Sequence, residues 1–292
     1  MFDLRYHVAS LAAVFLALII GILVGVGISD RGLVDKGKSK LLEDQVASLQ
    51  RRLDATAQQS TSRTRERMAA QSFISEAYPA LVRNRLRGKK IAVVFVGPVD
   101  GGVRTAVKKA LADSGAEQLR LRALKVPIDV RQLDATLNGE PAGKGLRGKR
   151  HVDALGRALG QELMLGGSTP LWDSVTDALV QEQAGGTRAP ADGVVVVRTV
   201  TPQRGATSRF LVGLYSALAS SGGPAVGVEP SDSADSATKV FTQTGLSTVD
   251  DVDTPVGRLA TVLLLAGAPP GHYGVKDSAS DGTLPPLGVP GG

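Results

Sequence analysis

The run "VASLAAVFLALIIGILVGVGI", Val8 to Ile28, constrains this chain more than any other stretch. It contains no charged residue and no proline. As an α-helix rising about 1.5 Å per residue it covers a hydrocarbon core of roughly 30 Å. Three structures satisfy such a run: a bilayer-spanning anchor, a cleaved export signal, or a helix buried in a large core. Its place at the N-terminus argues against the core helix. Gly25 and Gly27 offer small residues at cleavage spacing, but the run exceeds the roughly 7–15 residues of a signal's apolar region. The favoured reading is a transmembrane anchor or uncleaved signal over residues 1–30. Within it Ala9, Ala13, Ala17, Gly21, Gly25 and Ser29 recur at every fourth position. Such a stripe lets two helix backbones approach closely in lipid; the alternative is that Gly and Ala are simply common in spanning helices.

Beyond the anchor, Asp30–Lys40 is polar and contains Gly32 and Gly37, the composition of an interfacial hinge. Leu42, Val46, Leu49 and Leu53 then alternate in steps of four and three, the a/d spacing of a coiled coil. The seam decays into Thr56, Ser60, Arg63 and Arg67, so it supports only about two heptads. A parallel two-stranded coil and a lone amphipathic helix against the domain both fit it. A parallel homodimer would satisfy stripe and seam together. The candidate interaction residues are therefore Ala13, Ala17, Gly21, Gly25, Leu42, Val46, Leu49 and Leu53.

The globular part is expected over residues 87–268, after a hinge and coiled-coil helix over 31–86. "GKKIAVVFVG" reads as a buried strand, "PVDGG" as a turn, "GVRTAVKKALADSG" as a helix with a glycine stop, and "AEQLRLRAL" as a strand. This βαβ unit predicts parallel pairing with a right-handed crossover. Further helices are expected over Val130–Leu137, Val152–Leu165, Thr169–Gln183 and Ser233–Thr244, and strands at "GVVVVRTV" and "PAVGVEP". "TPVGRLATVLLLAGA" opens with Thr254 as N-cap and Pro255 in the first turn, and reads as a helix or helix-to-strand element. Alternating strands and helices predict an α/β fold, a Rossmann-like or flavodoxin-like parallel-sheet sandwich. The Gly/Pro-rich segment 269–292 reads as an extended or flexible tail.

Composition narrows the chemistry. The formal net charge is +6 and aromatic residues make up 4%. The few rings disfavour base stacking, so no nucleic-acid partner is expected, and a basic surface beside an anchor suits an anionic bilayer. There is no cysteine, hence no disulfide, thiolate metal site or cysteine nucleophile. "GPVDGG" lacks the order of a dinucleotide loop, and "GKGLRGKR" (Gly143–Arg150) puts Arg150 where a P-loop needs Ser or Thr for magnesium. His7, His151 and His272 are far apart in sequence, and Ser168 lacks the glycine of a nucleophile elbow. No enzymatic activity and no cofactor are expected. "STVDDVDTP" gathers Asp250, Asp251 and Asp253. These carboxylates suit a hard cation such as magnesium or calcium, or they cap the helix that follows. A soft copper site would need Cys, Met or clustered His. The methionines, Met1, Met68 and Met164, fall in no pair at ligand spacing.

"FDLRYHVASLAAVFLALIIGILVGVG" at one end, and "STVDDVDTPVGRL" with "GHYGVK" (Gly271–Lys276) at the other, resemble the actinobacterial copper transporter MctB family. The order of anchor, short coil, α/β domain and polar tail resembles it too, over nearly the whole chain. The resemblance implies a single-pass protein of the cell membrane or outer envelope with a role in copper transport or homeostasis. A SteB-like branch of the family implies an alternative, a non-catalytic anchored scaffold for cell-envelope or cell-division partners. Orientation draws opposing expectations. Arg5 precedes the anchor whereas Arg31, Lys36, Lys38 and Lys40 follow it, which by the positive-inside rule keeps the domain cytoplasmic. The resemblance implies export, and the reading adopted is an extracytoplasmic domain.

Overall fold

The computed structural model describes residues 4–28, 31–186 and 188–288. The chain divides into two compact units, Met1–Ala70 and Gln71–Gly292.

In the first unit, helix α1 (Leu4–Ile28) contains a segment, His7–Val26, of 20 residues and mean hydropathy 2.8, long and apolar enough to cross a membrane. A side chain added at Gly21 or Gly25 would meet no neighbour. Helix α2 runs without a break from Arg31 to Val82, so the polar stretch read as a hinge is helical from Arg31 onward. Leu42, Val46, Leu49 and Leu53 lie on α2 with their side chains exposed.

The second unit is an α/β sandwich, as the alternation of strands and helices predicts. One seven-stranded sheet has the order β3-β2-β1-β4-β5-β6-β7. Its strands are β1 (Lys90–Val96), β2 (Glu117–Leu124), β3 (Val180–Ala184), β4 (Gly193–Arg198), β5 (Ala225–Val228), β6 (Ser247–Val249) and β7 (His272–Tyr273). All neighbours are parallel except β2 and β3. Strand β1 explains the pattern. From Ile91 to Val96 it is apolar and buried throughout, because a parallel sheet is covered on both faces. Ala92, Val94 and Val96 face a cluster containing Leu159, Trp172, Phe210 and Leu214. Ile91, Val93 and Phe95 face a second cluster containing Val107, Leu111, Leu259 and Leu263.

Helices α5 (Val152–Leu165), α6 (Pro170–Leu179) and α7 (Gly205–Ala219) cover the first face; α3 (Gly101–Asp113) and α9 (Pro255–Leu265) cover the second. The C-terminal part of α2 joins that second face through Tyr78 and Val82. Helices α5 and α7 cross so closely that a Cβ on Gly213 would overlap the Asp153 carbonyl. Two short helices, α4 (Val130–Thr136) and α8 (Thr238–Gln243), and a 3-10 turn at Pro141–Gly143 complete the element order.

Three segments depart from the expectation. The helix expected to reach Gln183 stops at Leu179, and Val180–Ala184 becomes the antiparallel edge strand β3, pairing Gln183 with Arg122. The helix expected from Ser233 begins only at Thr238, leaving Ser231–Asp235 as a loop. The segment after Pro269, read as extended or flexible from its Gly and Pro content, supplies β7, which pairs Thr248 with His272 and Val249 with Tyr273.

Candidate functional site

Leaving β1, the chain crosses through α3 to β2 on one side; β4, β5 and β6 follow on the other. The order therefore reverses between β1 and β4, and in such sheets ligands bind outside the carboxyl ends of the strands at the reversal. The register Val96↔Arg198 brings those two ends together. A cleft of about 490 Å³ lies there, lined from β1 by Asp100, from β4 by Thr199 and Thr201, from β5 by Asp232 and Asp235, and from β6 by Asp253.

Each wall has a local cause. Asp100 is the N-cap of α3 and its Oδ1 accepts from the Val103 amide at 2.9 Å, which turns the chain sharply after β1. A carboxylate thus already occupies the helix end where a dinucleotide fold would seat a phosphate. Asp253 accepts from the Ser231 amide and hydroxyl, both at 2.7 Å, and so holds the loop after β5. Asp232 and Asp235 are exposed on that loop. Among the lining residues are four carboxylates and no basic side chain; the Arg198 guanidinium lies behind them, bonded to the Val200 carbonyl and within electrostatic reach of Asp235, and the excess of carboxylates favours cations over phosphates.

The loop after β5 is tied down from behind by the C-terminal segment. Lys276 Nζ donates to Glu229 Oε1 at 2.9 Å, to the Pro230 carbonyl at 2.9 Å and to the Ser233 carbonyl at 3.1 Å. Glu229 Oε2 in turn accepts from the Ala237 amide at 2.6 Å. Lys276 itself is placed by Asp250, whose carboxylate accepts from the Val275 amide at 2.8 Å and the Lys276 amide at 3.2 Å. Gly274, at φ 144°, is needed here twice over: the backbone is left-handed, and a Cβ would strike the Asp250 carboxylate. The two C-terminal stretches quoted above, "STVDDVDTPVGRL" and "GHYGVK", are therefore one structural unit.

The three candidate metal-ligating aspartates are adjacent in sequence but serve different partners. Asp250 binds the C-terminal segment, Asp253 the loop after β5. Asp251 Oδ2 accepts from Thr254 Oγ1 at 2.8 Å, beside the Thr254 cap on the Gly257 amide at 3.0 Å. Asp251 Oδ1 is buried and has no hydrogen-bond partner among the described residues, and burial pushes the carboxyl up to about 6. Of the three, only Asp253 lines the cleft. Among the described residues no group of three or more His, Cys, Asp or Glu side chains is arranged to hold a metal ion.

Asp100, Asp232, Asp235 and the Lys276–Glu229 tie were not singled out from the sequence. The acidic loop "SDSAD" after a short strand was the available signal, but it points to a cleft only once the strand order is known.

Comparison with known proteins adds the remaining observation. The family model described as copper transport outer membrane protein, MctB, matches residues 1–284. Two curated relatives, each named copper transporter MctB, come from Mycobacterium tuberculosis and Mycobacterium bovis. They are 26% identical to this chain, and the match spans 97% of it and 99% of theirs.

Proposed function

This chain belongs to the copper transport outer membrane protein MctB family, and from that premise we propose a bilayer-anchored, non-catalytic protein of copper homeostasis that receives cupric ion as cargo at the acidic cleft. The observation that carries this reading is the cleft's charge, four carboxylates with no basic side chain among the residues that line it. Carboxylate and hydroxyl oxygens accept cupric ion, the strongest binder among first-row divalent ions for a given oxygen or nitrogen site; cuprous ion wants thiolate, thioether or clustered imidazole. The chain has no cysteine. Met164 is buried in the core, Met68 lies on α2, and His151 and His272 sit on separate elements. Since among the described residues no three carboxylates are arranged to hold one ion, the cleft is read as collecting the hydrated ion through its field rather than by a fixed coordination shell, which suits a site that must release what it takes up.

Titration of the full-length chain in nonionic detergent with cupric ion, followed by electron paramagnetic resonance, tests this. A salt-sensitive broadening of the hydrated cupric signal is expected with the parent, and its loss with Asp232→Asn/Asp235→Asn. A stoichiometric cuprous complex that survives a competing chelator would refute the cupric reading.

The anchor is proposed to leave the domain on the extracytoplasmic side, where protease added to intact spheroplasts should reach it. The small-residue stripe of α1 and the exposed seam of α2 are proposed to pair in a parallel homodimer, because each contact raises the effective concentration of the other. A cysteine at position 49 should crosslink in membranes, and Gly21→Ile should weaken the crosslink. Absence of the crosslink would favour the second reading, in which the exposed apolar seam of α2 docks an envelope or division protein and the chain is a scaffold.

A further inference from the structure

A second cleft, sharing no lining residue with the acidic one, lies against the other side of the sheet order, at β2 and the edge strand β3. Arg120 and Arg122 are two apart on β2 and so leave the sheet on one face, opposite Leu121 and Ala123, which enter the core. With Arg188 they line a space of about 420 Å³ that also contains Thr169, Asp173 and Gln183.

The arginines are held there at a cost. Arg120 is 4% exposed and donates to the Leu163 and Ala189 carbonyls. Arg122 donates to the Leu121 carbonyl at 2.9 Å and feels Asp173 as its nearby negative charge. Burial lowers the pKa of both guanidiniums, and Arg122 lowers that of Arg120 further. Glu162, near the start of α6, is committed to the Leu171 and Trp172 amides. The lining thus carries three guanidiniums against one carboxylate.

We propose that this cleft binds a phosphate group, with Arg122 and Arg188 as its charged donors, Thr169 and Gln183 as neutral ones, and Arg120 as a fixed positive charge behind them. A phosphate anion offsets the local excess of positive charge, a monoester dianion fully and a diester monoanion in part. Its tetrahedral oxygens accept from several guanidinium N–H groups at once, the pairing for which arginine is best shaped. The volume leaves room for a substituent on the phosphate beyond the ion itself. A soluble phosphate monoester and the diester of a lipid headgroup share this chemistry.

Trp172, the chain's one tryptophan, is buried beside Asp173 and reports unfolding by its fluorescence. The full-length chain in nonionic detergent is melted against inorganic phosphate, ribose 5-phosphate and glycerophosphoglycerol, at ionic strength held constant with chloride. A saturable rise in Tm with phosphate is expected. Arg188→Gln, at an exposed position, should weaken it about tenfold, the effect of one lost charge-assisted bond. Asp173→Asn, also exposed, should strengthen it several-fold by removing the competing carboxylate. A response to ribose 5-phosphate alone assigns the site to monoesters, and to glycerophosphoglycerol alone to headgroups; both uphold a phosphate site. The proposal is overturned if none of the three raises Tm beyond chloride, or if both variants respond as the parent does.

Discussion

Replacing Lys276 with methionine keeps the length and apolar stem of the side chain and deletes its charge. In the parent, Nζ joins Glu229 and the Pro230 and Ser233 carbonyls, and the two side chains are 18% and 2% exposed. The variant therefore leaves Glu229 Oε1 buried and without its ion-pair partner, with the Arg198 guanidinium as its remaining nearby positive charge. Breaking a buried pair from one side costs about 3–5 kcal/mol. The partial exposure of Lys276 sets the expectation at the lower end, about 3 kcal/mol. Adding Glu229→Gln removes the stranded charge and keeps an oxygen for the Ala237 amide, so the double variant should regain about 2 kcal/mol of that loss. Urea unfolding of the full-length chain in detergent, followed by Trp172 fluorescence, measures both. If Lys276→Met costs less than about 1 kcal/mol, or if the double variant is no more stable than the single one, the pair is solvated and the cleft loop is held by something else.

Asp251 titrates upward from 3.8 to about 6 on burial. Its folded form keeps a proton that the unfolded form has lost, so its contribution to stability is full below pH 3.8 and disappears as pH rises through about 6. The linkage is worth on the order of 3 kcal/mol. Relative to the parent, Asp251→Asn should gain Tm steadily between pH 4 and pH 7; a constant difference across that window would show that Asp251 is ionised throughout. Gly213→Ala forces a methyl group into the Asp153 carbonyl where α5 and α7 cross, and overpacking of this kind costs about 1–3 kcal/mol. An unchanged midpoint in urea would mean that the two helices are farther apart than described.

The strands most legible in the sequence are those buried on both faces, while β2 shows by its alternation instead. "IAVVFV" and "VVVV" are continuous β-branched and aromatic runs because helices cover both sides of β1 and β4. Strands β6 and β7 have three and two residues, too few to show any period, and take their extended form from pairing, β6 with β5 on one side and with β7 on the other. Strand β3 continues directly from a helix and acquires its extended form from pairing with β2, a long-range cause with no local sign. The candidate cleft was hidden for the same reason. Its aspartates come from three strand ends separated in sequence, and the strand order that unites them is tertiary information. The run Asp250–Asp253 was conspicuous as a cluster, yet its carboxylates are divided among the C-terminal segment, a helix cap and a neighbouring loop.

The tie from Lys276 to the loop after β5 orders events during synthesis. Chains are made from the N-terminus, and domains generally fold as units when their sequence is complete. The strands that flank the cleft are translated well before the lysine that fixes its far wall. A chain that stops before His272 lacks both the strand that pairs with the outer edge of β6 and the lysine that pairs with Glu229. Such a product carries its own mark for proteolysis, since an open strand edge and a loop without its tether are what a protease engages first. The last segment of the sheet thus ties the far wall of the cleft to residues made late: the loop after β5 gains its Lys276 anchor only once residues 272–276 have been added.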